Sequence, residues 1–379
     1  MATVYLHIGH PKTGTTAIQN FLCNNAGALG QHGICFPDFG FRYPKVSFRR
    51  NAHFLAAEYD SETHTADFSR PSEDYQKAFE QISELAKTYD RILLSEELLW
   101  RIGSNDPDFW TNTKADFDRL GLELKVIVYL RRQDLFVQSR YRQRIKTGET
   151  FSFYEFLNTI ASTAYPLDFY TAAEKICSVV GKENLIIRIY EKGQFQGAEH
   201  TLLSDFLDIF GLSITDGFHA EDKAYNLSYE GTYLEMKRFL NALPEPVKKA
   251  SVLSGSFREI HDSVPYALGV ADRRSLFAPG EQEAFLAQYL PSNERLAREY
   301  LGREDGILFY DPFEELPQEK PDLEELLRDT ILVYGRAIQK LDRSAESMER
   351  QAQRLEAEIQ KLHSTSSLRN RIKRFLGKA

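Results

Sequence analysis

The sequence predicts an α/β protein in which helices flank a P-loop-type parallel β-sheet and a coiled-coil helix follows near the C-terminus. Apolar runs typical of buried strands alternate with helical stretches along the first half of the chain. The apolar runs occupy residues 4–8, 91–95, 125–130 and 184–190, and the helical stretches occupy residues 15–26, 74–88, 133–147 and 168–179. This alternation indicates right-handed crossover units, in which ligands bind beyond the carboxyl ends of the strands.

Composition limits the classes of function. The 379 residues carry a formal net charge of −8, which argues against a protein that coats nucleic acid. The three cysteines, Cys23, Cys35 and Cys177, have no metal-ligand spacing and form no even disulfide set, so we expect a reducing compartment. Residues 1–22 lack the pattern of a signal peptide and no run of eighteen apolar residues occurs, so we expect a cytoplasmic protein.

A glycine loop joins the first predicted strand to the first helix. Gly9 and Gly14 have the spacing of the nucleotide-triphosphate loop, but Thr15 stands where that loop has its lysine. The lysine lies inside the loop, at Lys12, where it can reach the bridging oxygen of a phosphate ester. Amides at a helix N-terminus bind phosphate, and the hydroxyls of Thr15 and Thr16 can add to them. The alternative is a strand–turn–helix corner that binds nothing.

A second candidate phosphate site follows the third strand. Arg131 ends that strand, and Ser139 lies eight residues later on the next helix. An arginine at a strand end presents a planar fork to phosphate oxygens, and the serine can add a hydroxyl. Four further cations follow on the same helix, and we expect them to form a solvated basic face. They are Arg140, Arg142, Arg144 and Lys146.

Together, these two constellations resemble the donor-binding motifs of sulfotransferases that use 3′-phosphoadenosine 5′-phosphosulfate (PAPS). The resemblance covers residues 1–315 and departs from the family at Gln133, where a proline is common. It implies that PAPS is a co-substrate and that no metal is required. It also implies that Lys12 stabilises the charge on the leaving phosphate, and that Arg131 and Ser139 bind the 3′-phosphate. The loop residues that it implies for the 5′-phosphosulfate are Lys12, Thr13, Gly14, Thr15 and Thr16.

Sulfuryl transfer to an alcohol also needs a base for the proton of the acceptor. Glu96 is the first candidate, because the resemblance places a catalytic Glu or His after this strand; a glutamate that stabilises the next helix is the alternative. Glu97 is expected to face away, since successive residues alternate sides of a strand. His53 is the second candidate, and a polar loop residue packed on Phe54 is its alternative. His10, inside the phosphate loop, would either touch the sulfate or brace the loop.

Residues 37–73 predict a long irregular lid or acceptor loop, rich in aromatic and basic residues. Aromatic rings with cations suit a sugar that adjoins an anionic group, and a solvated lid is an equal alternative. The cations are Arg42, Lys45, Arg49 and Arg50. Residues 224–330 are expected to be mostly helical. We assign residues 1–330, including the loop, to one α/β domain.

Near the C-terminus the sequence shows a heptad repeat. Apolar residues step by three and four from residue 334 to 362, which predicts a coiled-coil helix over residues 331–363 and a homo-oligomer. The seam consists of Ile338, Leu341, Ala345, Met348, Ala352, Leu355, Ile359 and Leu362. A single helix folded back on the domain is the alternative. Residues 364–379 predict a basic amphipathic tail in peripheral contact with the inner face of the membrane, with a frayed terminus as the alternative.

The function predicted from these motifs is sulfuryl transfer from PAPS to a hydroxyl of a carbohydrate or glycolipid. Lys12 would stabilise the charge on the leaving phosphate, and Glu96 or His53 would be the base. Residues 291–300 resemble a late segment of bacterial members associated with surface glycans. One alternative is a P-loop kinase, against which the missing Gly-Lys-[Ser/Thr] pattern counts. The other is a non-catalytic sulfotransferase fold that serves as a scaffold in glycan assembly.

Overall fold

The computed structural model of the chain describes residues 1–44, 46–56, 73–162, 166–220, 229–244, 251–263, 274–320 and 322–377. The chain divides into two compact units. Unit 1 comprises residues 1–144, 151–228 and 274–319, and unit 2 comprises residues 145–150, 229–273 and 320–379. The domain limits expected at residues 330 and 363 stay predictions, because compactness alone does not define a domain.

Unit 1 is built on a five-stranded sheet in which every pairing is parallel, in the order β2-β3-β1-β4-β5. The α/β fold class is therefore confirmed, and four strands lie where apolar runs predict them. The strands are β1 Thr3–His7, β2 Ile34–Cys35, β3 Arg91–Ser95, β4 Glu123–Leu130 and β5 Leu185–Ile189. The sequence does not predict β2, because two residues are too few to produce a periodic pattern.

Helices flank the sheet. In the described ranges up to residue 220 they are α1 Thr15–Asn24, α2 Ala26–Gln31, α3 Glu73–Leu85, α4 Leu99–Asn105, α5 Phe109–Arg119, α6 Gln133–Thr147, α7 Phe153–Ser162, α8 Phe169–Val180 and α9 Leu202–Asp208. The later helices of unit 2 are α10 Gly231–Asn241, α11 Ser251–Ser263 and α14 Leu323–Leu376, and those of unit 1 are α12 Glu281–Ala287 and α13 Leu290–Leu301. The four helical stretches predicted in the first half correspond to α1, α3, α6 and α8.

Both faces of the sheet are buried. Along β4, Leu124, Val126 and Val128 belong to one apolar cluster, whereas Ile127 and Tyr129 belong to a second cluster. Successive side chains alternate across a strand, so the two clusters cover opposite faces of the sheet. Burial on both faces explains why the strands appear in the sequence as nearly continuous apolar runs.

The long helix α14 dominates unit 2. It runs without interruption over 54 residues, and the Asp322 carboxylate caps it by accepting from the amides of Glu324 and Glu325. Val333 and Ala337 are buried, and α14 packs against α10 and α11. The helix includes the whole predicted coiled-coil segment and continues through most of the predicted tail. In the described part of the chain, no helix has an apolar stretch that would cross a bilayer.

Candidate active site

The loop between β1 and α1 has the backbone of an anion-binding loop. Gly9, Lys12 and Gly14 have positive φ angles of 42°, 69° and 76°. Such turns in the backbone direct successive amides into one concave surface. Gly14 immediately precedes α1, and neither a side-chain cap nor an acidic first-turn residue serves that end of the helix. The first amides of α1 can therefore bind an external anion.

There is no space for a side chain at two glycines of this loop, Gly9 and Gly14. A Cβ atom on Gly14 would lie 2.2 Å from Leu202 Cδ2, and one on Gly9 would lie 2.4 Å from Thr15 Cγ2. Lys12 shares the left-handed conformation without being glycine, which costs about 1–3 kcal/mol and is typical of ligand sites. The loop therefore has a shape that close packing imposes.

Arg131 follows β4 and braces the phosphate loop. Its Nη1 donates to the Lys12 carbonyl oxygen at 2.9 Å, and its guanidinium lies 5.7 Å from the centre of the Tyr190 ring. Desolvation lowers the pKa of Arg131, and the positive charge of Arg142 acts in the same direction. Ser139 is half-buried on α6, and none of the described residues hydrogen-bonds its hydroxyl. Tyr190 and Asp134 act in the opposite direction, so the charge around Arg131 is mixed.

The loop hydroxyls have different partners. Thr13 Oγ1 donates to the His10 carbonyl oxygen at 2.6 Å, so it holds the loop closed. Thr15 Oγ1 donates to Glu97 Oε2 at 2.8 Å, whereas Thr16 is exposed. Of the three threonines, Thr16 is thus the one most open to a ligand.

The expectation that Glu97 faces away from the site is wrong. Strand β3 ends at Ser95, and the next residues form a turn, so the alternation of a strand no longer applies to them. Glu97 therefore contacts Thr15 of the phosphate loop and also lies 3.8 Å from Nη1 of Arg50. The site contains a carboxylate that strand periodicity did not predict.

Glu96 is fully buried and surrounded by donors. Its Oε2 accepts from Arg50 Nε at 3.1 Å and from His53 Nδ1 at 2.8 Å, and its Oε1 accepts from the Leu98 amide at 2.8 Å and from Arg50 Nη2. Burial acts to raise the pKa of Glu96, but the hydrogen bond from His53 and the charge of Arg50 outweigh it, so the pKa is lowered. An ionised carboxylate with four donors is better suited to orient its neighbours than to accept a further proton.

His53 lies in a short 3₁₀ turn, His53–Leu55, within the predicted lid. Its Nδ1 bonds Glu96, and its ring lies 4.8 Å from that of Tyr43 in an edge-on arrangement. A carboxylate at Nδ1 selects the tautomer that carries its proton there, which leaves the lone pair on Nε2. His53 can therefore act as a base through Nε2.

A buried network holds Asn51 against the sheet; Asn51 lies in the predicted lid, of which residues 45 and 57–72 are outside the described residues. Asn51 Nδ2 donates to the carbonyl oxygens of Pro37 and Leu93, and Asn51 Oδ1 accepts from the Ser95 amide. Ser95 Oγ in turn bonds His7 Nδ1 at 3.0 Å and Gln19 Nε2 at 3.1 Å. Sequence reasoning does not single out Asn51, Ser95, His7 or Gln19. Their polar character within apolar or loop segments is the only signal that the sequence offers.

His10 braces the loop from inside the core. Its ring is fully buried and lies 4.1 Å from the Phe136 ring, 5.4 Å from Phe169 and 5.9 Å from Trp100. Neither ring nitrogen has a partner among the described residues. Burial, with a smaller contribution from Arg131, lowers the pKa of His10 to about 3. Of the two roles open to His10, the position favours bracing.

Several predicted ligand cations are already paired. Arg42 pairs with Asp38, and Arg49 stacks at 4.7 Å over the Phe48 ring. Arg50 binds Glu96, and Lys45 lies outside the described residues. The cations of α6 are half-buried instead of solvated, which corrects the expectation of a basic face. Arg142, for example, pairs with Glu319.

Gln133, where the resemblance leads one to expect a proline, has a structural partner. Its side-chain amide and that of Asn293 donate to each other, at 2.8 and 3.1 Å, and both are buried. Next to it, Ser292 Oγ donates to the Asp168 cap of α8 at 2.6 Å. The segment at residues 291–300 therefore packs where α6 and α8 begin. Among the described residues, no three His, Cys, Asp or Glu side chains are grouped to hold a metal.

Comparison with known proteins gives little guidance on function. No protein-family profile matches the chain. An uncharacterized protein of Archaeoglobus fulgidus is 30% identical over 212 residues, which are 52% of this chain and 53% of that protein. The chain thus spans about half the length of the curated relative that it matches. A crystal structure of a sulfotransferase from Alicyclobacillus acidocaldarius covers 79% of this chain and 96% of its own, with 14% identity and a TM-score of 0.42. A likeness at that level supports no argument about activity.

Proposed function

We propose that this chain transfers a sulfuryl group from PAPS to a hydroxyl of a carbohydrate or glycolipid. The observation that carries the proposal is a continuous set of contacts from a histidine base to an anion-binding loop. His53 bonds Glu96, Glu96 bonds Arg50, Arg50 lies beside Glu97, and Glu97 bonds Thr15 at the start of α1. A base and a phosphate loop at one site suit in-line transfer to an alcohol.

The proposed reaction assigns a task to each group. As the acceptor oxygen forms its bond to sulfur, His53 Nε2 takes the acceptor proton and Glu96 keeps the imidazole oriented. The bond between sulfur and the bridging phosphate oxygen breaks, and its electron pair stays on that oxygen. Lys12 and the amides of the loop stabilise the resulting charge. General base catalysis of this kind typically contributes about 10²–10⁴-fold in rate.

The 3′-phosphate of the donor is proposed to bind beside Arg131 and Ser139. Support comes from Arg131, which follows β4 beside the phosphate loop, and from the half-buried Ser139 hydroxyl, to which no described residue forms a hydrogen bond. Arg131 also donates to the Lys12 carbonyl oxygen. Binding of the 3′-phosphate to Arg131 would therefore affect the conformation of the phosphate loop. The two donor phosphates would then be recognised cooperatively.

Calorimetry with adenosine 3′,5′-bisphosphate and with ATP tests this function. We expect the bisphosphate to bind without added metal and ATP to bind weakly. Lys12→Ala and Arg131→Ala should each weaken bisphosphate binding about 10-fold or more, since each removes a charge-assisted contact. Lys87→Ala, which alters a lysine paired with Glu84 on the surface, is the matched control. Tight ATP binding without a response to the bisphosphate would refute the proposal.

The Glu97 carboxylate favours one competing function, a P-loop kinase. A carboxylate beside a phosphate loop is a ligand type that Mg²⁺ accepts in nucleotide sites. The ATP titration is therefore repeated with and without Mg²⁺. Binding of ATP that requires Mg²⁺ and is lost in Glu97→Gln would establish the kinase alternative; the sulfotransferase function predicts neither result.

An assay of sulfate transfer distinguishes the proposed enzyme from a non-catalytic scaffold. Transfer of labelled sulfate to a panel of carbohydrate and glycolipid acceptors should depend on Lys12, and donor binding without such dependence would favour a scaffold. The acceptor class rests on the resemblance and on the aromatic lid. Mass spectrometry of glycans and lipids from cells with and without the chain would identify the sulfate that is lost. A cytoplasmic location, with the basic tail at the inner face of the membrane, belongs to the same proposal.

A further inference from the structure

One face of α14 is apolar and exposed over about four heptads. Its large side chains are between 52% and 69% exposed. They are Ile338, Leu341, Met348, Leu355, Ile359 and Leu362, and the exposed residues Ala345 and Ala352 complete the seam. This seam is distinct from the stripe of Val333 and Ala337, which is buried within unit 2. One stripe of the helix is therefore buried within unit 2, and the neighbouring apolar stripe is exposed to solvent.

An apolar seam of this length requires a partner. A 54-residue helix is about 80 Å long, and the seam covers roughly 36 Å of it. Monomeric soluble proteins rarely expose a contiguous apolar surface of that extent. We propose that the seam binds the same seam of a second copy of this chain, in a parallel, in-register, two-stranded coiled coil. The proposal is independent of the reaction that the active site catalyses.

The seam residues argue for two strands. Heptad position a holds Ile338, Ala345, Ala352 and Ile359, and position d holds Leu341, Met348, Leu355 and Leu362. Branched isoleucine at a with leucine at d packs best in parallel dimers, whereas isoleucine at both positions, or leucine at a, favours three or four strands. The two alanine layers weaken the association, and the preference for two strands comes from the layers of Ile338 and Ile359.

The residues that flank the seam argue for a parallel orientation. Position e carries an acid in three successive heptads: Asp342, Glu349 and Glu356. In an antiparallel pair, e positions face e positions, so these acids would repel one another. In a parallel pair, e faces the preceding g position of the partner, which holds neutral residues. The exposed ones are Ser344 and Gln351, whereas Ala337, at the first g position, is buried within unit 2. The avoidance of repulsion between like charges therefore favours the parallel dimer.

Light scattering on the full chain tests the number of copies. We expect twice the chain mass at micromolar concentration. Leu355→Glu should give the single-chain mass, with a dissociation constant raised at least about 100-fold, because a buried leucine layer is replaced by two acids. Gln353→Glu introduces the same acid on the outer face and should remain dimeric. Because Leu355 is exposed in the single chain, circular dichroism should confirm that both variants fold. A wild-type mass of one, three or four chains would overturn the proposal.

Disulfide mapping tests the orientation. In a chain whose Cys23, Cys35 and Cys177 are replaced by serine, Leu362→Cys should link to itself under mild oxidation. An equimolar mixture of Ile338→Cys and Leu362→Cys chains should give only self-linked dimers, because these positions lie about 36 Å apart along a parallel pair. Mixed dimers, with little self-linking, would demonstrate an antiparallel pair and refute the proposed orientation.

Discussion

A hydrogen bond of 2.8 Å joins His53 Nδ1 to Glu96 Oε2. From this contact we predict that His53 is the base and that Glu96 orients it. His53→Gln should lower kcat about 10²–10⁴-fold with little change in the KM for the donor, because it removes the proposed base. Glu96→Gln should lower kcat less, because the base persists but loses its orienting charge. If Glu96 acts through His53, the double variant should be no slower than His53→Gln alone.

Steady-state kinetics with saturating donor provides the measurement, and His32→Gln, on a histidine bonded to the Asp216 carbonyl oxygen, is the control. The reverse ranking, in which Glu96→Gln is the more damaging change and His53→Gln is mild, would make Glu96 the base. Donor binding by calorimetry separates these effects from loss of structure, since neither residue belongs to the phosphate loop.

Two buried histidines predict how stability depends on pH. Burial lowers the pKa of His7 to about 4 and that of His10 to about 3, whereas an unfolded histidine titrates near 6.5. The folded state thus binds fewer protons than the unfolded state between these values. Their contribution to stability is complete above pH 6.5 and is lost as the pH falls from 6.5 toward about 4 for His7 and about 3 for His10.

His10→Phe should flatten this dependence by about one proton, or about 1.4 kcal/mol per pH unit, in urea unfolding between pH 6.5 and 4.5. At pH 7 the variant should be as stable as the wild type or more stable by about 1–2 kcal/mol, because two unpartnered buried nitrogens are removed. An unchanged slope would mean that His10 is protonated or hydrated in the folded protein.

At the scale of elements, the phosphate loop depends on the absence of a Cβ at Gly14. Gly14→Ala should destabilise the protein by about 1–3 kcal/mol and abolish bisphosphate binding, because a positive φ of 76° and a 2.2 Å approach to Leu202 both oppose it. Leu202→Ala should restore only part of the loss, since it relieves the collision and not the backbone strain. Thermal unfolding and calorimetry measure the two effects.

Gly27→Ala supplies the matched control. Gly27 lies within α2, and apart from its neighbours in the chain and the backbone of the helix itself, no atom lies within 4 Å of a Cβ built there. Alanine at such a helical position should be neutral or stabilising by about 0.5–1 kcal/mol. If Gly14→Ala behaved like Gly27→Ala, the loop would not require its left-handed turn.

Local patterns in the sequence predict the elements of this site well, and tertiary contacts explain what they miss. Four apolar runs and four helical stretches agree in position with strands β1, β3, β4 and β5 and with helices α1, α3, α6 and α8. The alternation of strand side chains does not apply to Glu97, because the strand ends at Ser95. Its neighbours in the sequence suggest that Arg50 is a lid cation, yet it binds Glu96, a residue 46 positions away that no local pattern connects to it. Pairings across such distances depend on the fold.

At the scale of the whole molecule, the charge of the chain is unevenly distributed. The net charge is −8, yet residues 364–379 contain five cations and no acid. In the described part of this tail, Ile372, Phe375 and Leu376 are 50%, 85% and 69% exposed and share one face of α14 by their three-to-four spacing. We propose that this basic amphipathic end binds anionic membrane surfaces, and a parallel coiled coil would present two such ends together.

Co-sedimentation with vesicles of phosphatidylcholine and phosphatidylserine tests the tail. Deletion of residues 364–379 should reduce binding at least about 10-fold, because each cation near an anionic surface contributes about 1 kcal/mol. The deletion leaves the seam intact, so the truncated chain should remain dimeric. Leu355→Glu, which separates the two copies while it retains the tail, should also weaken binding, since one tail then acts alone. Equal sedimentation of all three proteins would refute the role of the tail; weakening by the deletion alone would show that one tail suffices.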